Sequence, residues 1–263
     1  MKALISVFRI RFRAETQYRG AVIGGVLCQM FFGLILIAVY RALYETRPQE
    51  LPLQNVITYV WLQQAFFRML LSSDSELSEK ISTGGIAYDL CRPLDVYSYY
   101  YVRDAATRLV GSVMRAVPMI LFALLLPDGW GLRGPASPAA LGCALASLLP
   151  GLLCVCALSG IARGFTLLTL DGRGIEAMMN MLMMTLSGNI LPLTLFPDRW
   201  QTVIRLLPYA QLLDAPARIY TGSQPLNGVP EILLLQFLWA AVLTALGMLL
   251  WKKNEKRLVL QGG

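Results

Sequence analysis

The chain has 263 residues, of which 56% are hydrophobic and 15% are charged, and its formal net charge is +7. Soluble domains are about 45–50% apolar and about 25% charged, so this composition excludes an ordinary soluble domain and indicates several membrane spans. The apolar runs are about 20 residues long, which favours helices over the short alternating strands of a barrel. We therefore expect an all-α membrane protein.

The types of residue present also limit the chemistry. The positive charge would suggest nucleic acid in a soluble protein, but here it favours basic loops beside anionic lipid, and we expect no nucleic-acid partner. The sequence has no histidine, and its five cysteines show no metal or redox spacing. None of the lysines follows a glycine, so the chain has no Walker A phosphate loop. We expect no catalytic or metal site, and any ATP and Mg²⁺ would be bound by another chain.

Residues 1–19 predict an amphipathic helix that lies in the lipid headgroup region, with Leu4, Ile5 and Phe8 on its apolar face. Six apolar spans are predicted after it, at 20–40, 56–71, 105–126, 139–162, 175–195 and 231–251. More basic residues lie in the N-terminal segment, the loop between spans two and three and the tail than in the opposite loops. The positive-inside rule therefore places both termini and that loop in the cytoplasm.

The loop at 72–101 is a polar interruption between two apolar spans. Its sequence predicts a helix that starts near Ser75, because Ser75-Glu76-Leu77-Ser78-Glu79 is typical of a helix start. Gly84 and Gly85 permit a sharp break, residues 86–90 predict a second short helix, and Arg92 followed by Pro93 predicts its end. An ordered connector and a short helix that docks in a groove of a soluble partner both fit this pattern.

A second unusual region covers residues 189–222, before the last span. It is apolar, but four prolines divide it: Pro192, Pro197, Pro208 and Pro216. No piece between them is long enough to cross a bilayer, so we expect short re-entrant helices on the outer side of the membrane.

Uncharged polar residues lie within the predicted spans: Gln29, Gln63, Gln64, Asn180, Thr185 and Asn189. They would either form hydrogen bonds between helices or line a substrate path. A carrier driven by protons or ions is disfavoured, because we find no Asp, Glu or Lys at the middle of a predicted span.

Two segments carry a family resemblance. Residues 80–94, KISTGGIAYDLCRPL, resemble the I-x-x-G-x-(I/V)-x-x-x-L-x-(R/K)-P segment of a group of ABC-2 type (type V) ABC transporter permeases. The run FPDRW at 196–200, followed by Leu207-Pro208-Tyr209 and by 216–222, resembles the outer signature of that group. The resemblance covers nearly the whole chain, as a single permease domain at 1–263.

This resemblance implies the permease half of an ATP-driven exporter in the bacterial cytoplasmic membrane. Such a permease pairs with a second permease, identical or related, and each binds a separate ATP-binding subunit through a coupling helix, here 81–94. The implied docking residues are Ile81, Gly84, Gly85, Ile86, Tyr88, Asp89, Leu90 and Arg92. The resemblance also favours a substrate path at Gln29, Gln63, Asn180 and Asn189. The alternative is a secondary carrier or channel that has no ATPase partner.

Overall fold

The computed structural model describes residues 2–46, 51–71, 75–91, 93–169 and 172–256. Within these ranges the regular elements are helices, which confirms an all-α protein. They are α1 Lys2–Glu15, α2 Arg19–Thr46, α3 Leu53–Leu70, α4 Ser75–Ser82, α5 Ile86–Leu90, α6 Val96–Leu125, α7 Pro138–Thr169, α8 Arg173–Leu186, α9 Asp198–Leu206, α10 Asp214–Thr221 and α11 Val229–Glu255. Short 3₁₀ turns at Leu193–Leu195 and Leu226–Gly228 precede α9 and α11.

Four helical stretches in the described ranges are long and apolar enough to cross a membrane: α2, α6, α7 and Leu226–Glu255, which includes α11. They correspond to the predicted first, third, fourth and sixth spans. The chain is therefore a multi-pass membrane protein. The predicted second and fifth spans correspond to α3 and α8, which are shorter, at 18 and 14 residues.

Helix α3 forms the centre of the bundle and packs against α2, α6 and α10. Its Trp61 is fully buried and meets the Phe122 ring edge-on at a centroid distance of 5.7 Å. A Cβ atom at Gly33 of α2 would lie 2.8 Å from the Trp61 ring, so α2 approaches this closely because Gly33 has no side chain. A helix that is enclosed by protein can carry polar residues that a lipid-facing helix cannot, which explains its lower hydropathy.

Helices α7 and α11 pack closely, and a Cβ atom at Gly164 of α7 would lie 3.0 Å from the Leu250 Cβ of α11. The Tyr97 side chain from the start of α6 lies between them, and a Cβ atom at Gly160 or Gly247 would be 2.6 or 2.5 Å from its hydroxyl oxygen. The Tyr97 ring also packs against Trp251 at a centroid distance of 6.4 Å. The start of α6 is thereby fixed to the ends of α7 and α11.

Two helix boundaries differ from the bounds of the predicted spans. Helix α6 begins at Val96, before the predicted start of the third span near 105, because Asp95 caps it: the Ser98 backbone N–H donates to Asp95 Oδ2 at 2.8 Å. Helix α8 ends at Leu186 and not near 195, and two residues later Gly188 has a φ of +81°. A positive φ interrupts the helix and is easily adopted by glycine.

The region at 189–222 contains short helices, as its prolines predicted. Helix α9 follows Pro197 and ends before Pro208, and α10 contains Pro216 and ends at Gly222 with a φ of +75°. Helix α10 lies at one end of the bundle, beside the start of α11 and the start of α7, and Ile204 of α9 packs with Leu193 and Ala210. We call this the α9–α10 end, and the opposite end, where α4 and α5 lie, the α4–α5 end.

The N-terminal helix predicted within 1–19 is α1, and it lies against α6. The Arg11 Nε donates to the Thr107 hydroxyl at 3.0 Å, and the Arg11 guanidinium pairs with Glu15 at 2.9 Å. None of its residues is buried, and Ile5 and Phe12 of the apolar face are exposed. An exposed apolar face beside a membrane span suits a helix in the headgroup region.

Candidate functional site

The α4–α5 unit is the part of the polar loop that the structure describes between 75 and 91. Of the residues implied as a coupling helix, 81–94, those at 81–91 form the end of α4, a turn and α5, so they are not one helix. The turn depends on Gly84, whose φ is +75°, whereas Gly85 has a right-handed helical backbone. The break therefore lies at the first of the two glycines.

Apolar residues attach this unit to the ends of three long helices. Leu77, Ile81 and Ile86 are buried in one cluster with residues of α6, α7 and α11: Val96, Tyr97, Tyr100, Leu167 and Trp251. Each fully buried aliphatic side chain contributes about 1.5–3 kcal/mol, so the three anchor α4 and α5 firmly. The unit is thus packed against the ends of all three helices.

A polar network, which we call the Asp89 clamp, completes the attachment: Glu76, Lys80, Asp89, Tyr100 and Arg103. The Asp89 side chain is buried, and its Oδ2 accepts hydrogen bonds from the Tyr100 hydroxyl at 2.7 Å and the Lys80 ammonium at 2.9 Å. Lys80 also pairs with Glu76 at 3.2 Å, and the Arg103 guanidinium contacts the other oxygen of Glu76. The clamp joins α4, α5 and α6.

The charged groups of the clamp support one another. The hydrogen bond from Arg103 lowers the pKa of Glu76 to about 2, although partial burial acts in the opposite direction. Burial alone would lower the pKa of Lys80, but its hydrogen bonds to Asp89 and Glu76 raise it above the ordinary value. Glu76 and Lys80 are therefore ionised at neutral pH, which keeps their ion pair intact.

One large side chain of the unit points away from this cluster. The Tyr88 side chain is 81% exposed, while its neighbours in α5, Ile86 and Asp89, are buried. A tyrosine combines a large apolar ring with a polar tip, and tyrosines are enriched where proteins meet. The exposed face of α5 is thus the surface that a partner could contact.

The structure divides the implied docking residues into three groups. Ile81, Ile86 and Asp89 are buried against the protein itself, and Gly84, Gly85 and Leu90 are partly buried. Tyr88 is exposed, and Arg92 lies outside the described residues. A buried residue positions the unit and cannot itself contact a partner in this conformation.

The polar residues considered for a substrate path do not come together at one cavity in the described structure. Gln29, Gln63, Gln64 and Asn189 are buried, and the Asn189 amide donates to the Gln63 backbone oxygen at 3.4 Å. The Gln63 amide donates to the Ser187 backbone oxygen at 3.3 Å, which ties α3 to the end of α8. These two bonds fit the interpretation as contacts between helices.

Asn180 and Thr185 lie apart from that group. Asn180 lines a small cavity of about 10 Å³ between α7 and α8, together with Arg163 and Glu176. Thr185 is exposed on the same face of α8 as Met178 and Met181. This face of α8 has no covering helix within the described residues.

A buried ionic network near the α4–α5 end was not predicted from the sequence. The Arg108 side chain is fully buried; it donates to Asp104 at 2.8 Å, to the Met69 backbone oxygen at 2.6 Å and to the Ser159 hydroxyl at 2.7 Å. Arg163 of α7 pairs with the other oxygen of Asp104 at 2.9 Å. The four-residue spacing of Asp104 and Arg108 in one helix was the available signal.

A similar network at the α9–α10 end also escaped prediction. Asp214 is fully buried; its Oδ1 accepts from the Tyr59 hydroxyl of α3 at 2.8 Å and its Oδ2 from Arg218 at 2.7 Å. Arg218 also donates to the Gln224 side chain at 2.8 Å. The network fixes α10 to the middle helix of the bundle.

Comparison with known proteins gives one match to a family. A family model described as "ABC-2 family transporter protein" matches residues 26–262. No curated protein gave a significant match. The matched range contains the α4–α5 unit, α9 and α10, all of α6, α7 and α11, and α2 from residue 26 onward.

Proposed function

The chain belongs to the ABC-2 family of transporter permeases, and we propose on this basis that it is the membrane half of an ATP-driven exporter. Membership of the family implies an ABC ATP-binding partner and a membrane environment. Permeases of this kind are typically non-catalytic, and the sequence has no Walker A phosphate loop. ATP and Mg²⁺ are therefore bound and used by the partner.

The α4–α5 unit is the docking site for that partner in this proposal. The exposed Tyr88 ring enters a groove of the ATP-binding subunit, and the exposed surface beside it, including Thr83 and Cys91, surrounds the contact. The buried residues Ile86 and Asp89 hold α5 at a fixed angle below the contact. Arg92 stays a predicted member of the site.

The attachment of the unit to three helices is the observation that carries the proposal. Force applied at Tyr88 passes through the apolar cluster and the Asp89 clamp to α6, α7 and α11. A nucleotide changes a transporter only by binding its two conformations with different affinities, so a stiff connection is needed to transmit that difference. A loosely attached loop would absorb the force.

A second permease, identical or related, completes the transporter. The exposed faces of α2 and α8 support this pairing, because Leu27 and Phe31 of α2 and Met181 of α8 have no covering helix in the described part of the chain. A substrate path between the two permeases would pass the exposed Thr185, with Gln29, Gln63, Gln64, Asn180 and Asn189 behind it. The methionines would adapt to bulky apolar substrates.

In this proposal the chain crosses the bacterial cytoplasmic membrane six times, with both termini in the cytoplasm. Helices α3 and α8 supply the second and fifth crossings, and α9 and α10 re-enter the outer side. An 18-residue helix is about 27 Å long, close to a hydrocarbon core of about 30 Å. The distribution of basic residues supports this orientation.

A carrier or channel without an ATPase is the alternative. Such a carrier needs charged residues within the membrane, and Asp104 and Arg108 do lie in α6. They lie at the level of Thr107, where α1 contacts α6, so they are near the headgroups. Both are engaged in ion pairs within the bundle, which favours a structural role.

The docking proposal is tested by photo-crosslinking in membranes that contain the ATP-binding subunit of the same transporter. The probe p-benzoylphenylalanine replaces Tyr88, and a matched control places it at Tyr18, which is also exposed and lies on the same proposed side of the membrane. We expect an adduct with the ATP-binding subunit from position 88 and none from position 18. Equal yields, or no adduct at 88 from a complex that is otherwise intact, would overturn the assignment.

A further inference from the structure

A furrow runs along the surface of the bundle between α6 and α7, with α3 as its floor. Its volume is about 360 Å³, within the range of about 300–1,000 Å³ typical of ligand sites. Exposed apolar residues form its rims, Val113 on α6 and Leu149 on α7, while Met69 of α3 in its floor and Ala116 on the inner side of α6 are buried. The furrow is therefore open to the hydrocarbon side of two helices that are able to cross a membrane.

The position of α1 indicates where the furrow lies along the membrane normal. The contact of Arg11 with Thr107 places the amphipathic α1 at the level of that residue, which marks the headgroup boundary. The furrow follows α6 from Leu109 to Ile120, a distance of about 16 Å at 1.5 Å per residue. Half of a hydrocarbon core of about 30 Å is about 15 Å. The furrow thus has the length of one leaflet, measured from the α1 side.

The end of the furrow nearest α1 is polar, and the remainder is apolar. Arg108 and Ser112 line that end, and Ser112 is only 4% exposed. The guanidinium of Arg108 is engaged with Asp104, Met69 and Ser159, but the Ser112 hydroxyl has no hydrogen-bond partner among the described residues. A buried hydroxyl without a partner is costly, so a ligand that accepts its hydrogen bond is favoured.

We propose that this furrow binds one acyl chain of a phospholipid from the leaflet on the α1 side, with an ester carbonyl of the lipid accepting a hydrogen bond from Ser112. An ester group lies next to the headgroup, where Ser112 lies, and the chain extends along the apolar part. A protein helix about 10 Å wide and 16 Å long occupies roughly 1,250 Å³, too much for this volume. None of the six polar residues considered for the substrate path lines the furrow, so this is a separate site.

The test uses the full chain in lipid nanodiscs that contain phosphatidylethanolamine with a diazirine at the middle of one acyl chain. After irradiation, we expect adducts on α6 between 109 and 120 and on α7 between 145 and 152, at least about fivefold above those on the exposed face of α11. V113W fills the furrow and should lower these adducts at least about fivefold. V242W, the same change on the exposed face of α11, should leave them unchanged.

Ser112 gives an independent measurement. S112A should lower retention of the lipid through detergent exchange about threefold, as expected for one hydrogen bond in a membrane, and S112T should restore it. Even labelling of all exposed faces or undiminished labelling of V113W would overturn the proposal. Thermal unfolding of each variant identifies any loss of lipid labelling or lipid retention that is due to misfolding.

Discussion

Similar polar networks hold a short helix in place at each end of the bundle, but the two networks differ in their surroundings. At each end a buried aspartate accepts a hydrogen bond from a tyrosine hydroxyl and pairs with a cation. The groups are Asp89, Tyr100 and Lys80 at the α4–α5 end, and Asp214, Tyr59 and Arg218 at the α9–α10 end. In each case the aspartate and the tyrosine belong to different helices, so the bond fixes a short helix to a long one.

The difference is access to water. The Lys80 side chain is 28% exposed and that of its second partner Glu76 is 48% exposed, whereas the Arg218 side chain is only 7% exposed. The α4–α5 end is thus fastened at a surface that a partner could reach, and the α9–α10 end is fastened inside the bundle. Disrupting the Asp89 network should therefore weaken binding of the partner more than it destabilises the fold. Disrupting the Asp214 network should mainly destabilise the fold.

Replacing Asp214 should have the largest effect. D214A leaves the Arg218 guanidinium buried without its ion pair, which typically destabilises a protein by about 3–5 kcal/mol. D128A is the matched control, because Asp128 is exposed in the loop between α6 and α7. Denaturant unfolding in mixed micelles measures the difference. Equal stability of the two variants would contradict the role assigned to the buried network.

Replacing Asp89 should destabilise the protein less than replacing Asp214, but it should weaken binding of the ATP-binding subunit more. D89A leaves the Tyr100 hydroxyl and the Lys80 ammonium without their acceptor, but Lys80 still reaches water and Glu76, so we expect a loss of about 1–3 kcal/mol. The protein should still be extracted as a folded membrane protein, but the ATP-binding subunit should no longer co-purify with it. Normal co-purification of D89A would show that the clamp does not position the docking surface.

The two glycines of the turn give a sharper comparison at the α4–α5 end. G84A forces an alanine to adopt a φ of +75°, at a cost of about 1–2 kcal/mol. G85A keeps a right-handed conformation, and its Cβ atom would meet other atoms only at 3.5 Å or more, so it should be tolerated. Hydrogen exchange of α5 measures the change. Faster hydrogen exchange of α5 in G85A than in G84A would contradict this geometry.

Acidification should have the smallest effect. Because Glu76 has a lowered pKa of about 2 in the folded protein, its stabilising contribution is complete above the ordinary value of 4.5 and is lost only as the pH falls through about 2. Binding of the ATP-binding subunit to E76Q and to the unchanged protein should therefore respond equally between about pH 7 and about pH 5. A loss confined to the unchanged protein within that range would contradict the ion pairs described for Glu76.

The sequence predicted local features better than distant contacts. The helices at 75–82 and 86–90 could be predicted because their start patterns, glycines and prolines lie within a few residues of each other. The start of α6 was missed because the tyrosine-rich run at 97–101 is not apolar enough to be recognised as part of a span, although Asp95 caps it. The end of α8 was missed because the sequence stays apolar after it, at 190–196.

Pairing between distant residues could not be predicted. Asp104 and Arg163 lie in different helices 59 positions apart, and Tyr59 and Asp214 are separated by 155 positions. Composition gives no indication that a particular aspartate is buried beside a particular arginine. The family resemblance likewise implied Asp89 as a contact for a partner, whereas in the fold it is buried beneath the exposed face of α5.

The most direct test of the docking role measures how tightly the ATP-binding subunit binds this permease in nanodiscs. Y88A removes an exposed ring, so its unfolding free energy should stay within about 0.5 kcal/mol of that of the unchanged chain. Loss of a central tyrosine at an interface costs about 2 kcal/mol or more, so the dissociation constant should rise roughly thirtyfold. Y18A should leave it unchanged. An unaltered dissociation constant for Y88A, with both proteins folded, would contradict the assignment of α5 as the docking helix.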